Sequence, residues 1–429
     1  MSMDRMSMGR VSQGRPDGGA ASALGLGVSA LGASADRADV VVVGAGIVGL
    51  SAALAAVDAG AEVIVVDRSA EAQGASIRNF GHLAATPQAG LAGRLAIRSS
   101  EIWQRLEQDA GIWLRRSGTH VVARHDDELR VLTDFAEARA GAGASEDVRL
   151  FDAAEFLQQV PIRPDDVVGG AWLPRDLQVN PRQATAAITA YLQRRGVEFR
   201  LRTAVTGLRT GFVETSRGLI AAGLTVVAVN HDIDQLLPDV AERAKVRRCA
   251  LDMLRVRAEL PRPLPAPVLT GWSLLRYAGF ASSTAIPALR ERLHHDHPGL
   301  ASLDVNLMAT QLPDGSIILG DTHSRGEAVS PFQPEHAFDE LLRAGRDLFG
   351  SRLDVLERWQ GVYASAPEEL LIDEPTPGVR VVAATTGIGM TTGPALGELA
   401  VAQHLGPTFS PAQPALVRTT SAHRQKGLS

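Results

Sequence analysis

Three glycines in the run Gly44-Ala45-Gly46-Ile47-Val48-Gly49, with Asp67 18 residues further on, carry the first chemistry in this sequence. The spacing suits a dinucleotide. Gly44 allows a tight turn, Gly46 lets the backbone approach a pyrophosphate, and Gly49 lets a helix pack closely on a strand. The helix start at Ile47 and Val48 offers free N–H groups and a partial positive charge to phosphates. Asp67 can accept hydrogen bonds from ribose hydroxyls. The flanks supply the elements such a site needs: an apolar strand over 40–43, an Ala/Leu-rich helix to about residue 59, and a second strand over 62–66. A parallel βαβ unit without ligand is the alternative.

Other polar residues stand where a substrate domain would place them. Arg276 and Tyr277 lie in an apolar segment, where an arginine is either a ligand clamp or a partner for a local carboxylate. His323 and Arg325 follow a strand ending in Gly320-Asp321, and read as functional groups or as a polar loop. Tyr363 follows a strand-like run over 358–362, as a substrate contact or as a core tyrosine with a bonded hydroxyl. His294-His295-Asp296-His297 resembles a metal cluster, but neighbours on a helix point in different directions, so no metal is expected there.

The remaining elements follow from periodicity and punctuation. Helices are expected over 92–109, 182–195, 335–348 and 394–404, the second with Asn180 as N-cap and Pro181 at its first position. Strands are expected over 197–205, 219–229, 252–259 and 379–384, and Pro313-Asp314-Gly315 joins a hairpin of 307–311 with 316–320. The 429 residues are 45% apolar and 21% charged, with a net charge of −5, so no basic excess recommends nucleic acid. Cys249 stands alone, which forbids an intrachain disulfide and fits a reducing, cytoplasmic setting. No apolar run reaches the roughly 18–20 residues of a membrane span. Residues 1–37 are rich in Gly, Ser and Ala without aromatics, and read as a disordered tail, with a secretory leader as the alternative.

The sequence resembles the FAD-dependent D-amino-acid oxidase family, which includes glycine and sarcosine oxidases, over most of residues 39–405. Three motifs carry the resemblance: Gly44–Gly49 with Asp67-Arg68; Gly74-Ala75-Ser76-Ile77-Arg78-Asn79-Phe80-Gly81, followed by His82; and Thr386-Gly387-Ile388-Gly389-Met390-Thr391-Thr392-Gly393. The resemblance implies noncovalent FAD, since Cys249 does not match the position of the cysteine in covalent sarcosine oxidases. It implies cofactor contacts from Gly44, Gly46, Ile47, Val48, Gly49, Asp67, Arg68, Ser76, Arg78, Asn79, Gly81, His82, Val205, Thr386, Gly387, Gly389, Met390 and Thr391. A closer likeness is to a clade linked with phosphonate catabolism, which shares the run over 74–82 and the segments over 274–280 and 320–332.

The chain departs from the family at three places. Asn230-His231-Asp232 replaces the usual Gly-Ala-Trp, and Gly361-Val362-Tyr363 and Thr385-Thr386-Gly387 stand where arginines usually hold an α-carboxylate. No lysine matches the one those oxidases use with oxygen, so the electron acceptor is oxygen or another group. The expected fold is α/β. A Rossmann-like FAD-binding domain is built from 38–84, 175–245 and 355–406, and a mostly antiparallel substrate domain with helices from 85–174 and 246–354. Residues 407–429 form a tail. The expected activity is oxidation of the C–N bond of a small anionic amine, an aminophosphonate, with Arg276, Tyr277, His323 and Tyr363 at the reacting end. A sarcosine, glycine or D-amino-acid oxidase is the alternative, and a FAD-binding protein without turnover is the rival of another class.

Overall fold

The structure is a computed structural model that describes residues 36–405. The expectations for a C-terminal tail and for most of an N-terminal tail lie outside it. The first strand begins at Asp36, inside the segment assigned to the tail, because Asp36–Ala38 pair with Ile220–Ala222.

Five parallel strands form the nucleotide half, in the order Glu198–Arg200, Val63–Val66, Asp36–Val43, Gly218–Val227, Val379–Ala384. Their continuous valine runs are explained by burial on both faces. Val40, Val42, Val63 and Val65 enter one core beneath the helices, while Val41, Val43, Ile64 and Val66 enter a second on the opposite face. The expected strand over 197–205 is split. Arg202 takes a left-handed φ of 54°, and the chain then turns into a separate antiparallel strand, Val205–Arg209.

The second half is a nine-stranded, mostly antiparallel sheet. Its longest pairing joins Arg247–Ala258 to Leu353–Ser365. That pairing corrects one domain boundary: residues 355–365, assigned to the nucleotide half, belong to this sheet along their whole length. A second boundary also moves. Helix Gly90–Ala110, assigned to the substrate half, buries Leu95, Ile102, Trp103 and Leu106 in the nucleotide core. Its apolar positions recur at helical spacing and so fix one buried face, but periodicity does not say which core that face meets.

The last helix runs from Gly389 to Leu405, five residues longer at its start than the expected 394–404, with Pro394 inside it. Proline has no N–H, so the carbonyl four residues earlier loses its helical donor. Here that carbonyl belongs to Met390, and the Trp103 indole donates to it at 2.9 Å. Ala395 N–H is taken by Ser99 Oγ at 3.0 Å. Two side chains of one helix therefore complete the hydrogen bonding of another. Trp103→Phe keeps most of the buried ring volume and leaves the Met390 carbonyl unpaired. It should cost about 1–3 kcal/mol in chemical unfolding and lower the FAD content at a given free FAD concentration.

Candidate cofactor and substrate site

The carboxyl ends of the parallel strands open into a cavity of about 1120 Å³ that extends to the antiparallel sheet. The glycine run shapes one end. Gly44 has φ +105°, and a Cβ there would stand 2.6 Å from the Ala228 carbonyl oxygen. A Cβ on Gly49 would stand 1.9 Å from the carbonyl oxygen of Gly44, so this glycine serves helix packing and does not line the cavity. Gly46 precedes helix Ile47–Asp58 and gives that end no side-chain cap. Ser76 Oγ accepts the Ile47 N–H at 2.9 Å. Asp67 accepts from Ala45 N–H and Ser69 N–H, each at 2.8 Å, so its carboxylate also fixes the glycine turn. A helix start whose N-cap Gly46 has no side chain, whose first N–H goes to Ser76 Oγ, and whose turn glycine Gly44 is closed against backbone fits a dinucleotide pyrophosphate.

Ile47, Val48, Arg68, Ser76, Arg78, Asn79, His82, Val205, Thr386, Gly387, Gly389, Met390 and Thr391 line the same cavity as Gly44, Gly46 and Asp67. Gly81 does not. Its φ of +68° and its approach to Val179 make it a turn glycine, since a Cβ there would stand 2.0 Å from the Val179 carbonyl oxygen. Asn79 spends its amide on its own loop, donating to the Ala75 carbonyl at 2.8 Å and accepting from Gly81 N–H at 2.7 Å. Arg68 reaches Asp232 at 2.7 Å, and Arg78 reaches the Gln360 carbonyl at 3.2 Å. The unusual Asn230 occupies the left-handed region at φ +58°, which asparagine tolerates better than most residues. Its Oδ1 accepts from Ala364 N–H at 2.5 Å and ties the two sheets together at this corner.

Arg276, Tyr277, His323 and Tyr363 all face the other end of the cavity, joined by Arg325. Arg276 and Arg325 converge on Asp304, at 2.8 and 2.5 Å. His323 Nδ1 stands 3.0 Å from Arg276 Nη2 and 2.9 Å from the Asp304 carbonyl oxygen. Burial, reinforced by Arg276 and Arg325, holds His323 neutral. Tyr363 stands opposite the buried Cys249 on the neighbouring strand, and burial raises the pKa of Tyr363 and of Tyr277. The Tyr363 ring lies over Gly387, where a Cβ would come within 3.3 Å of Cζ. His82 meets Thr119 Oγ1 at 2.6 Å and is pushed down to about 3 by burial, which leaves it neutral.

Sequence reasoning missed Asp321, Asn306 and Asp304. Asp321 was visible only as the end of a strand, and nothing in the spacing brings residue 304 to residues 276 and 325. Among the described residues no group of three or more His, Cys, Asp or Glu side chains is arranged to hold a metal. His294 stacks instead on Trp272 at 6.2 Å.

A parallel sheet with a glycine turn, joined to an antiparallel sheet across one long cavity, defines a dinucleotide-binding protein. The chain belongs to the DAO family: the model described as FAD dependent oxidoreductase matches residues 39–403. The chain is 28% identical over 352 residues to a bifunctional protein ThiO/ThiG from Nostoc sp., a match covering 78% of this chain and 47% of that protein. It is 24% identical over 242 residues to a subunit of the opine oxidase of Rhizobium meliloti, covering 53% of this chain and 65% of that one. The chain thus spans under two thirds of each of these curated relatives. Its fold is that of a glycine oxidase from Bacillus cereus, with TM-score 0.69, 18% identity, and coverage of 85% of this chain and 94% of that one.

Gly46→Asp places a carboxylate at the helix start beside Ser76 Oγ, 3.2 Å from the new Cβ. The variant should purify colourless, whereas acid precipitation of the wild type should release FAD into the supernatant.

Proposed function

We propose that the protein oxidises the C–N bond of a small anionic amine, an aminophosphonate, giving an imine that water hydrolyses to an aldehyde and ammonia or an amine. One observation carries this reading: two guanidinium groups, Arg276 and Arg325, reach the cavity wall from separate elements. The places where α-amino-acid oxidases hold a carboxylate contain Tyr363 and Gly387 instead. Arg276 uses only Nη2 towards Asp304 and His323, and Arg325 only Nη1 towards Asp304. Their remaining N–H groups are available to a doubly charged anion, for which planar guanidinium forks are suited.

When bound, FAD supplies the two-electron acceptor for the C–H bond beside nitrogen. The arginine pair would fix the anion and so place that carbon, while Tyr363 and the neutral His82 close the walls. Both tyrosine hydroxyls stay protonated at neutral pH, as their raised pKa values require. They serve as hydrogen-bonding groups and not as bases. The segment over 320–332, through which the likeness to the phosphonate-linked clade runs, includes His323 and Arg325.

Anaerobic flavin bleaching tests the proposal with 2-aminoethylphosphonate, its N-methyl and 1-hydroxy relatives, glycine, sarcosine and D-alanine. An aminophosphonate should give the highest specificity constant. The sarcosine/glycine reading takes over if one of the carboxylates does. Arg276→Ala should weaken aminophosphonate binding by about 1.5–3 kcal/mol, one to two powers of ten, and leave FAD affinity nearly unchanged. Arg276→Lys should also bind poorly, because the charge remains without the fork.

A further inference from the structure

We propose that Asp321 is the group that receives the substrate's amino nitrogen, so that the site recognises an anionic amine through two opposite charges. The inference rests on the proposed anionic-amine reading and adds the residue that reading lacks. Asp321 follows strand Ile317–Gly320, and its backbone is pinned by reciprocal bonds with Asn306, Asp321 N–H to the Asn306 carbonyl at 2.7 Å and Asn306 N–H to the Asp321 carbonyl at 2.8 Å. It lines the cavity together with Arg276, His323 and Arg325, yet is only 4% exposed.

A buried carboxyl ordinarily collects several donors. This one has few. Oδ1 has no hydrogen-bond partner, and His323 Nε2 stands 3.9 Å from Oδ2, beyond hydrogen-bond reach. The groups facing it are Arg276 and the Asn306 amide, which favour its charge, and Asp304, which opposes it. His323 is neutral, and Tyr277, Tyr363 and Cys249 are uncharged neighbours that each sense its charge. Burial outweighs the favourable contacts and pushes the carboxyl up to about 7.

Arg276 acts on this group only from a distance, and an alkylammonium supplies a cation in contact together with the missing donors. The same pairing can pass a proton. One ammonium N–H proton moves to the Asp321 carboxylate, leaving a neutral amine whose lone pair is free and a neutral carboxylic acid. The charges balance, and no further reactant is needed. Deprotonation is what oxidation at the adjacent carbon requires, and a carboxyl near neutrality is suited to it.

The test is calorimetric titration of the dithionite-reduced holoenzyme, which binds ligand without turning it over. Three probes separate the charges: 2-aminoethylphosphonate, ethylphosphonate without the amine, and 2-methoxyethylamine without the anion. Wild-type affinity for 2-methoxyethylamine, whose charge is constant near neutrality, should rise with pH through about 7 as Asp321 ionises. Asp321→Asn should lose roughly tenfold or more in affinity for both amines and flatten that rise, while ethylphosphonate still binds within about twofold. Asp321→Glu should restore the pH dependence.

A wild-type amine affinity that is flat across neutral pH overturns the proposal without any variant. So does an Asn variant that binds both amines like the wild type. If ethylphosphonate fails to bind the wild type while amine binding still depends on Asp321, the anionic reading falls and Asp321 stands as the amine contact.

Discussion

The nucleotide half depends on backbone meeting backbone without a side chain between. The Gly49 Cα faces the Gly44 carbonyl so closely that even a methyl group would overlap it. On the other side of the same helix a Cβ at Gly397 would stand 2.4 Å from the Val48 carbonyl oxygen. Helix Ile47–Asp58 is thus clamped between the glycine turn and the final helix, and its start is held where the turn points. Close packing of this kind tolerates little relaxation. It explains why the helix is built of alanine and leucine and why the last helix carries Gly393 and Gly397 along one side.

Much of this was legible in the sequence, because local rules govern it. The glycine spacing, the valine runs and Asp67 are signals within 30 residues, and they gave the parallel unit with its helix. The Pro181 helix start and the hairpin at Asp314-Gly315 were legible for the same reason. What was not legible depends on distant partners. Trp103 satisfying Met390 links positions 287 residues apart. Helix Gly90–Ala110 showed its buried face but not the core that face would meet. Asn230 looked like a departure from pattern, and its left-handed φ and its bond to Ala364 account for it.

The candidate site divides along the same line. The residues lining the pyrophosphate end announce themselves by glycine and by order in the chain. The far end is assembled from side chains at 276, 304, 321, 323, 325 and 363, brought together by the antiparallel sheet and its loops. Their chemistry comes from burial as much as from identity: His82 and His323 are neutral and Asp321 resists ionisation because water is excluded from them. No residue type advertises such an environment in a sequence.

The order of the segments also bears on how the protein is made. The parallel sheet is completed only by strand Val379–Ala384, and the clamp on the first helix only by Gly389–Leu405. During synthesis strand Gly218–Val227 can pair at once with Asp36–Val43 and, over its first residues, with Phe212–Thr215, but its edge at Thr225–Val227 waits for Val379–Val381. Until strand Val379–Ala384 has emerged that edge stays open, and until Gly389–Leu405 has emerged the first helix lacks its clamp. A nascent or truncated chain ending before residue 379 would present an adhesive strand, a natural target for chaperones or for aggregation.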